Sequence, residues 1–270
     1  MNTGTQTGRN IKMDESLKYY NEAFFKKRGA WRSDYNLIAK WISKNIAGQS
    51  FGDIGCGNGH MISLLHRTGK KVWGVDAAEN FEQYIDKEIQ PYVKKADLTK
   101  SYKFNKCDVA LCFEVAERLD KVHADTLVKS IASTEANIVL FTAAQPGEAG
   151  VRHINLQPRS YWLDKYKTQN YYLDVALTEK FRDDLANRIK NPVWYLSDIM
   201  ILRRFDSPEA GEAYVESGNY IKELKKQIND LMYSNNKMKH ELWLVSQQLN
   251  AVLNSARWKT SSKLIGLMKR

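Results

Sequence analysis

Apolar residues along this 270-residue chain follow three successive rhythms. From Glu15 to Ile46 they recur at helical spacing through Tyr19, Phe24, Trp31, Leu37, Ile38, Trp41 and Ile42, which predicts helices. From about residue 50 to 204, short apolar runs alternate with helix-length stretches. Runs at about 50–54, 71–76, 92–96, 108–113 and 137–142, and again at Tyr171–Val175 and Ser197–Arg204, read as seven strands. Strands separated by helices demand parallel pairing through crossovers, so the pattern predicts an α/β sheet.

After Pro208 the rhythm becomes heptad. Tyr214, Ile221, Ile228, Leu242 and Leu249 share one position, and Leu224, Leu231, Met238, Val245 and Val252 share the other, the seam of a coiled coil. Asn235 falls at a core position, where a polar side chain can set register and oligomer state. A single helix folded back on the domain would show the same stripe, but a sustained 3.5-residue repeat favours self-association. Ile and Leu are mixed at the seam, so the sequence does not choose between dimer and trimer.

The first strand runs into Phe51-Gly52-Asp53-Ile54-Gly55-Cys56-Gly57-Asn58-Gly59-His60, and the second ends on Asp76. Gly55 and Gly57 suit a sharp turn that brings backbone amides against a ligand, Gly59 suits close helix packing, and Asp76 has the spacing of a carboxylate on a ribose. A dinucleotide loop would read GxGxxG, whereas here His60 stands in place of the last glycine. Asp53 would repel a pyrophosphate and suits a cationic ligand. These residues resemble the first motif of the class I S-adenosylmethionine-dependent methyltransferases, acid-x-G-x-G-x-G. The resemblance implies a seven-stranded Rossmann-like sheet with its last, hairpin strand antiparallel, S-adenosyl-L-methionine as cofactor, a loop (with Cys56) around its methionine part, and Asp76 on its ribose. Asp97 and Leu98 fall where that family meets the adenine, and Phe113-Glu114-Val115-Ala116-Glu117-Arg118-Leu119 is similar to its E-V-x-E-H-L motif, with Arg118 replacing the histidine. In many relatives the position of Glu114 contacts the cofactor, and an N-terminal helix closes the site, which makes Tyr20 or Tyr35 a candidate lining residue.

Composition changes the picture in two places. The formal net charge of +10 favours nucleic acid, anionic lipid or an acidic substrate without choosing among them. Cys56, Cys107 and Cys112 lack metal-ligand spacing and suit buried packing in a reducing compartment. With no signal-peptide core and no membrane-spanning run, the expected location is cytoplasmic. The organisation reads as a disordered N-terminus over 1–12, a methyltransferase domain over 13–205, a coiled coil over 206–256 and a basic amphipathic tail over 257–270. That tail, with Trp258, Leu264, Ile265 and Leu267 among cations, suits an anionic membrane surface at the inner face of the cytoplasmic membrane, or else a frayed end.

Methyl transfer to a hydroxyl requires a base near the acceptor. After the fifth strand comes Arg152-His153-Ile154-Asn155, and an H-x-N segment faces the active-site mouth in related methyltransferases. His153 is therefore the candidate base, with Asn155 to hold it or the acceptor, and Glu117 a competing catalytic carboxylate; the alternative is that His153 and Asn155 only organise the loop. His60, His66, His123 and His240 read as surface or capping residues. No metal is expected, since Asp183 and Asp184 are adjacent on a helix and diverge. A methyltransferase domain, a coiled coil and the tail Trp258-Lys259-Thr260-Ser261-Ser262-Lys263-Leu264 together resemble bacterial cell-surface polysaccharide (O-antigen type) proteins that end in S-W-R-x-T-x-P-L-R. That resemblance implies a lipid-linked glycan acceptor, capping of chain growth, a homo-oligomer and a glycosyltransferase partner. Methylation of a small molecule, methylation of nucleic acid, which no N-P-P-Y-like motif supports, and a non-catalytic scaffold are the alternatives.

Overall fold

The computed structural model describes residues 20, 22–79, 81–191 and 194–254. Two helices, α1 (Glu22–Gly29) and α2 (Arg32–Asn45), precede the sheet. The strands are β1 (Ser50–Ile54), β2 (Lys71–Asp76), β3 (Val93–Lys95), β4 (Val109–Phe113), β5 (Ile138–Thr142), β6 (Tyr171–Leu173) and β7 (Met200–Arg204). Between them run α3 (His60–His66), α4 (Ala124–Ala132), α5 (Arg159–Lys167), α6 (Val175–Leu185) and α7 (Trp194–Asp198). All seven predicted strands form. The last begins three residues later than predicted, because Ser197 belongs to α7.

The strand order is β3-β2-β1-β4-β5-β7-β6, with β1 to β5 parallel and β7 antiparallel to both β5 and β6. Neighbouring residues of each central strand feed opposite cores. Phe51, Leu111 and Leu140 pack with Ile38, Ile42 and Phe181, while Ile54, Cys112 and Phe141 pack with Trp162 and Tyr166 on the other face. That explains why β4 (VALCF) and β5 (IVLFT) read as continuous apolar runs: both faces are covered. Chain order reverses between β1 and β4, and such a switch opens a crevice at the carboxyl ends of the strands. The three cysteines are buried and free.

From Pro208 to Asn254 the chain is one helix, α8. The chain divides into two compact units, Met1–Gly218 and Asn219–Arg270, with the boundary inside this helix. In the first unit the Tyr214 ring packs against Phe205, 5.1 Å between centroids and tilted by 45°, so the first seam position of the heptad pattern is used in local packing. In the second, Ile228, Leu231, Met238, Leu242 and Val245 are exposed, as is Asn235 among them. The expected disordered residues 1–12 and the basic tail 257–270 lie outside the described residues. Among the described residues no helix is long and apolar enough to cross a membrane.

Candidate active site

Two adjoining chambers share Arg28, Gly55, Gly57 and Phe113 and open over the carboxyl ends of the parallel strands. The glycine loop is tied to β2: the amides of Gly55 and Cys56 both donate to the Val75 carbonyl, at 2.8 and 2.9 Å. Gly55 has φ +84°, and a Cβ there would lie 2.2 Å from Val115 Cγ2, so only glycine lets the loop close on β4. Gly59 lines neither chamber; a Cβ there would meet Ile89 at 2.7 Å, which makes it a packing position. Asp76 lines the wider chamber and accepts from Gly57 N at 2.7 Å and Ala78 N at 2.8 Å.

Asp53, at the end of β1, lines the narrower chamber with Tyr35, Cys56, His60 and Tyr195. Burial pushes its carboxyl up to about 8, and the neighbouring Asp76 adds to the shift. Asp76 is also raised by burial, against the amides of Ala78 and Gly57 that hold its charged form. Arg28 is the cation shared by the two chambers, with its guanidinium 4.6 Å from the Phe24 ring centroid. Tyr20, Leu98, Phe113 and Glu114 line the wider chamber. Asp97 is not among the lining residues; its carboxylate accepts from Thr99 Oγ1 at 2.6 Å and lies 3.3 Å from Lys100 Nζ.

Beyond β4 the chain turns through Glu114, a buried residue with φ +57° whose amide donates to Thr142 Oγ1 at 3.0 Å. Left-handed backbone at a non-glycine residue costs on the order of 1–3 kcal/mol and persists where surroundings enforce it, often at functional sites. Arg152, also on the wall, has the same sign of φ. Among the described residues, Glu114 Oε1 and both carboxylate oxygens of Glu117 are buried without a hydrogen-bond partner. Burial raises both carboxyl groups; Glu114 is lifted further by Glu117, while the Arg118 guanidinium opposes the shift of Glu117. Arg118 Nε lies 3.0 Å from Glu117 Oε1, yet its one hydrogen is already donated to the Glu114 carbonyl at 2.9 Å. The contact with Glu117 is therefore an ion pair without hydrogen-bond alignment. Arg118 also donates to the Val151 carbonyl, fastening this turn to the loop after β5.

That loop carries His153. Its Nδ1 lies 3.3 Å from the Glu148 carbonyl, which can only accept, so Nδ1 holds the proton and Nε2 presents its lone pair 3.9 Å from Glu117 Oε1. Burial lowers its pKa and favours this neutral form. Asn155 is fully buried: its amide nitrogen donates to the Ala116 carbonyl at 3.2 Å and its backbone N–H to Glu117 O at 3.0 Å. These bonds fix the loop to the Ala116–Arg118 turn, and neither Asn155 nor His153 lines the chambers.

No metal ligands were expected from the sequence; the structure nevertheless brings ligand atoms of Glu114, Glu117 and His153 within 4.8 Å of one another. Arg118 supplies one positive charge there, so a single proton shared by the two carboxylates brings the group to neutrality. A divalent ion would leave an excess positive charge in a poorly hydrated place. Two lining features are absent from the sequence reading: Arg28 with Phe24 and Phe25 on α1, and Arg152. Arg28, the last of three consecutive cations and one turn from both Phe24 and Trp31, was the available signal for the first.

Residues 52–132 match the protein family described as "Methyltransferase domain". Among solved structures, a TehB-like SAM-dependent methyltransferase from Corynebacterium glutamicum is similar with a TM-score of 0.50 at 16% identity, covering 71% of this chain and 100% of that one. An O-methyltransferase of a trans-AT polyketide synthase of Brevibacillus brevis, in complex with S-adenosyl-L-homocysteine, has a TM-score of 0.49 at 13% identity over 83% and 92% of the two chains. Magnesium protoporphyrin IX methyltransferase of Synechocystis PCC 6803 with bound SAM gives 0.49 at 16%, over 73% and 93%. At 16% identity the likeness to the first of these is one of fold. No curated protein sequence matches the chain.

Proposed function

Starting from a methyltransferase domain that takes its methyl group from S-adenosylmethionine, we propose that this chain methylates a sugar hydroxyl of a lipid-linked cell-surface polysaccharide. The observation that carries hydroxyl transfer is the buried Glu114–Glu117–His153 group at the end of β4, with three carboxylate oxygens lacking donors. Sugar hydroxyls are donors, and a group that holds one proton near neutrality can take another from an acceptor.

The cofactor supplies an electrophilic methyl on a sulfonium. The residues present fit it: Asp53 suits an ammonium, Arg28 a carboxylate, and Asp76 a ribose diol in place of the amides it now holds. With that methyl group supplied to the acceptor oxygen, the carboxylate–imidazole group would take up the hydroxyl proton. Glu114, which lines the chamber, is the residue to touch the acceptor. Glu117 and His153 act through it by setting where the shared proton resides, and Asn155 holds their turn and loop together.

The polysaccharide acceptor is supported by the tail pattern from Trp258 to Leu264. The exposed seam of α8 supports a homo-oligomer, whose basic tails would together hold the enzyme at the inner face of the cytoplasmic membrane beside a glycosyltransferase. The test is transfer of labelled methyl to lipid-linked glycans. Glu114→Gln should keep the thermal shift given by S-adenosylhomocysteine and lose at least about a hundredfold in transfer. His153→Ala should shift the pH profile of the remaining activity. Cofactor binding with no transfer to any glycan overturns the acceptor reading, and an unchanged rate in Glu114→Gln overturns the proton-acceptor reading.

A further inference from the structure

On the α2–α6 side of the sheet lies a second concavity that shares no lining residue with the cofactor chambers. It is a groove of about 460 Å³ formed by α2, α6 and the turn after α6. Its frame is rigid. The Trp41 indole, buried beneath it, donates to Asp184 Oδ2 at 2.8 Å and meets the Phe181 ring edge-on at 4.9 Å, so the two helices are pinned together.

The charges along that seam do not balance. Lys40 and Lys44, one turn apart on α2, face Lys180 on α6 and Arg188 after it, with Asp184 the one acid lining the groove. Asp184 is already engaged, accepting from Lys180 Nζ at 2.6 Å as well as from Trp41, and those partners lower its pKa, Lys180 foremost. Lys40, Lys44 and Arg188 are exposed and make no ion pair among the described residues. Like charges at this helical spacing repel. Three exposed cations without an ion pair on one concave wall, with Lys44 acting on Asp184 only at longer range, leave a local excess of positive charge of the kind proteins keep at binding sites.

We propose that this groove binds the phosphate group of an anionic ligand. Phosphate matches a fork of lysines and an arginine in charge and in its number of acceptor oxygens. The phosphate can belong to a lipid headgroup or to a soluble phosphoester, and the inference stands apart from the acceptor reading above.

The experiment uses the full chain and two probes. Pyrophosphate is titrated with thermal unfolding as readout, and vesicles of phosphatidylcholine with or without phosphatidylglycerol are co-sedimented with the protein. The variant is Lys40→Gln/Lys44→Gln, which should retain the S-adenosylhomocysteine shift. Each basic contact with an anionic surface is worth about fivefold, so loss of two should weaken binding to anionic vesicles by about 25-fold. Binding of both probes, each lowered in the variant, assigns a lipid phosphate. Pyrophosphate alone, lowered in the variant, assigns a soluble one. Binding of neither probe, or binding unchanged by the variant, overturns the site.

Discussion

Replacing Asp53 with asparagine tests the electrostatic reading of the cleft, because it removes a charge while keeping shape. In the unliganded protein burial and the neighbouring Asp76 raise this carboxyl from 3.8 to about 8. Between those values the unfolded chain has released the proton and the native chain still holds it. Stability from this group is therefore fully present below about pH 4 and is lost as pH rises through about 8. From pH 5.5 to 7.5 the loss integrates to about 2.5 kcal/mol, near the limit of about 1.4 kcal/mol per pH unit for one proton. For a domain of this size that corresponds to a fall in Tm of about 5–10 °C. Asp53→Asn should flatten this slope, seen in urea unfolding at the two pH values followed by tryptophan fluorescence. It should also weaken S-adenosylmethionine binding about ten- to hundredfold, the worth of a hydrogen bond to a charged group. Parallel pH profiles in wild type and variant, within about 0.5 kcal/mol, would refute the assignment of a buried proton to Asp53.

Three further outcomes are expected. Gly55→Val puts a branched side chain at φ +84° against Val115, and should cost at least about 2 kcal/mol and abolish the S-adenosylhomocysteine thermal shift, while Gly29→Ala, with no atom within 4 Å of the new Cβ, should leave that shift unchanged. Tyr171→Phe removes the hydroxyl that donates to the buried Ala136 carbonyl at 2.7 Å, and urea titration should show a loss of about 1–2 kcal/mol; a change below about 0.3 kcal/mol would mean that the carbonyl finds another donor. If the α8 seam pairs copies of this chain as proposed, Asn235→Ile should raise the melting temperature of that assembly and alter its size in analytical ultracentrifugation, whereas a wild-type chain that stays monomeric at tens of micromolar rules out the coiled coil.

Periodicity and glycine chemistry are local properties, which is why the sequence alone determined the strands and the cofactor loop. An apolar run such as Val109–Phe113 can be satisfied only between two covered faces, and Gly55 followed by Gly57 after a strand leaves few backbone paths. The acid of Asp76 was legible for the same reason, since its distance from the loop is set by one strand–helix–strand unit. The heptads were equally legible as a helix, and Pro208–Asn254 is one, although Tyr214 proves to be drawn onto Phe205 rather than left on the seam.

What only the tertiary structure decided is where side chains distant in sequence converge. Arg28 reaches the chambers because α1 folds over the ends of strands formed later in the chain, and no spacing rule links it to Gly55. Asn155, which a short motif placed at the chemistry, is turned inward because the Ala116 and Glu117 carbonyls need donors once the turn after β4 is buried. Lys40 and Arg188 meet in one groove through the bond from Trp41 to Asp184. The upward shift of Glu114 and Glu117 likewise arises only because folding strips water from two carboxylates and sets them beside each other, with Arg118 opposing the shift. Sequence determines which groups are available; the low-dielectric interior decides which of them must share a charge.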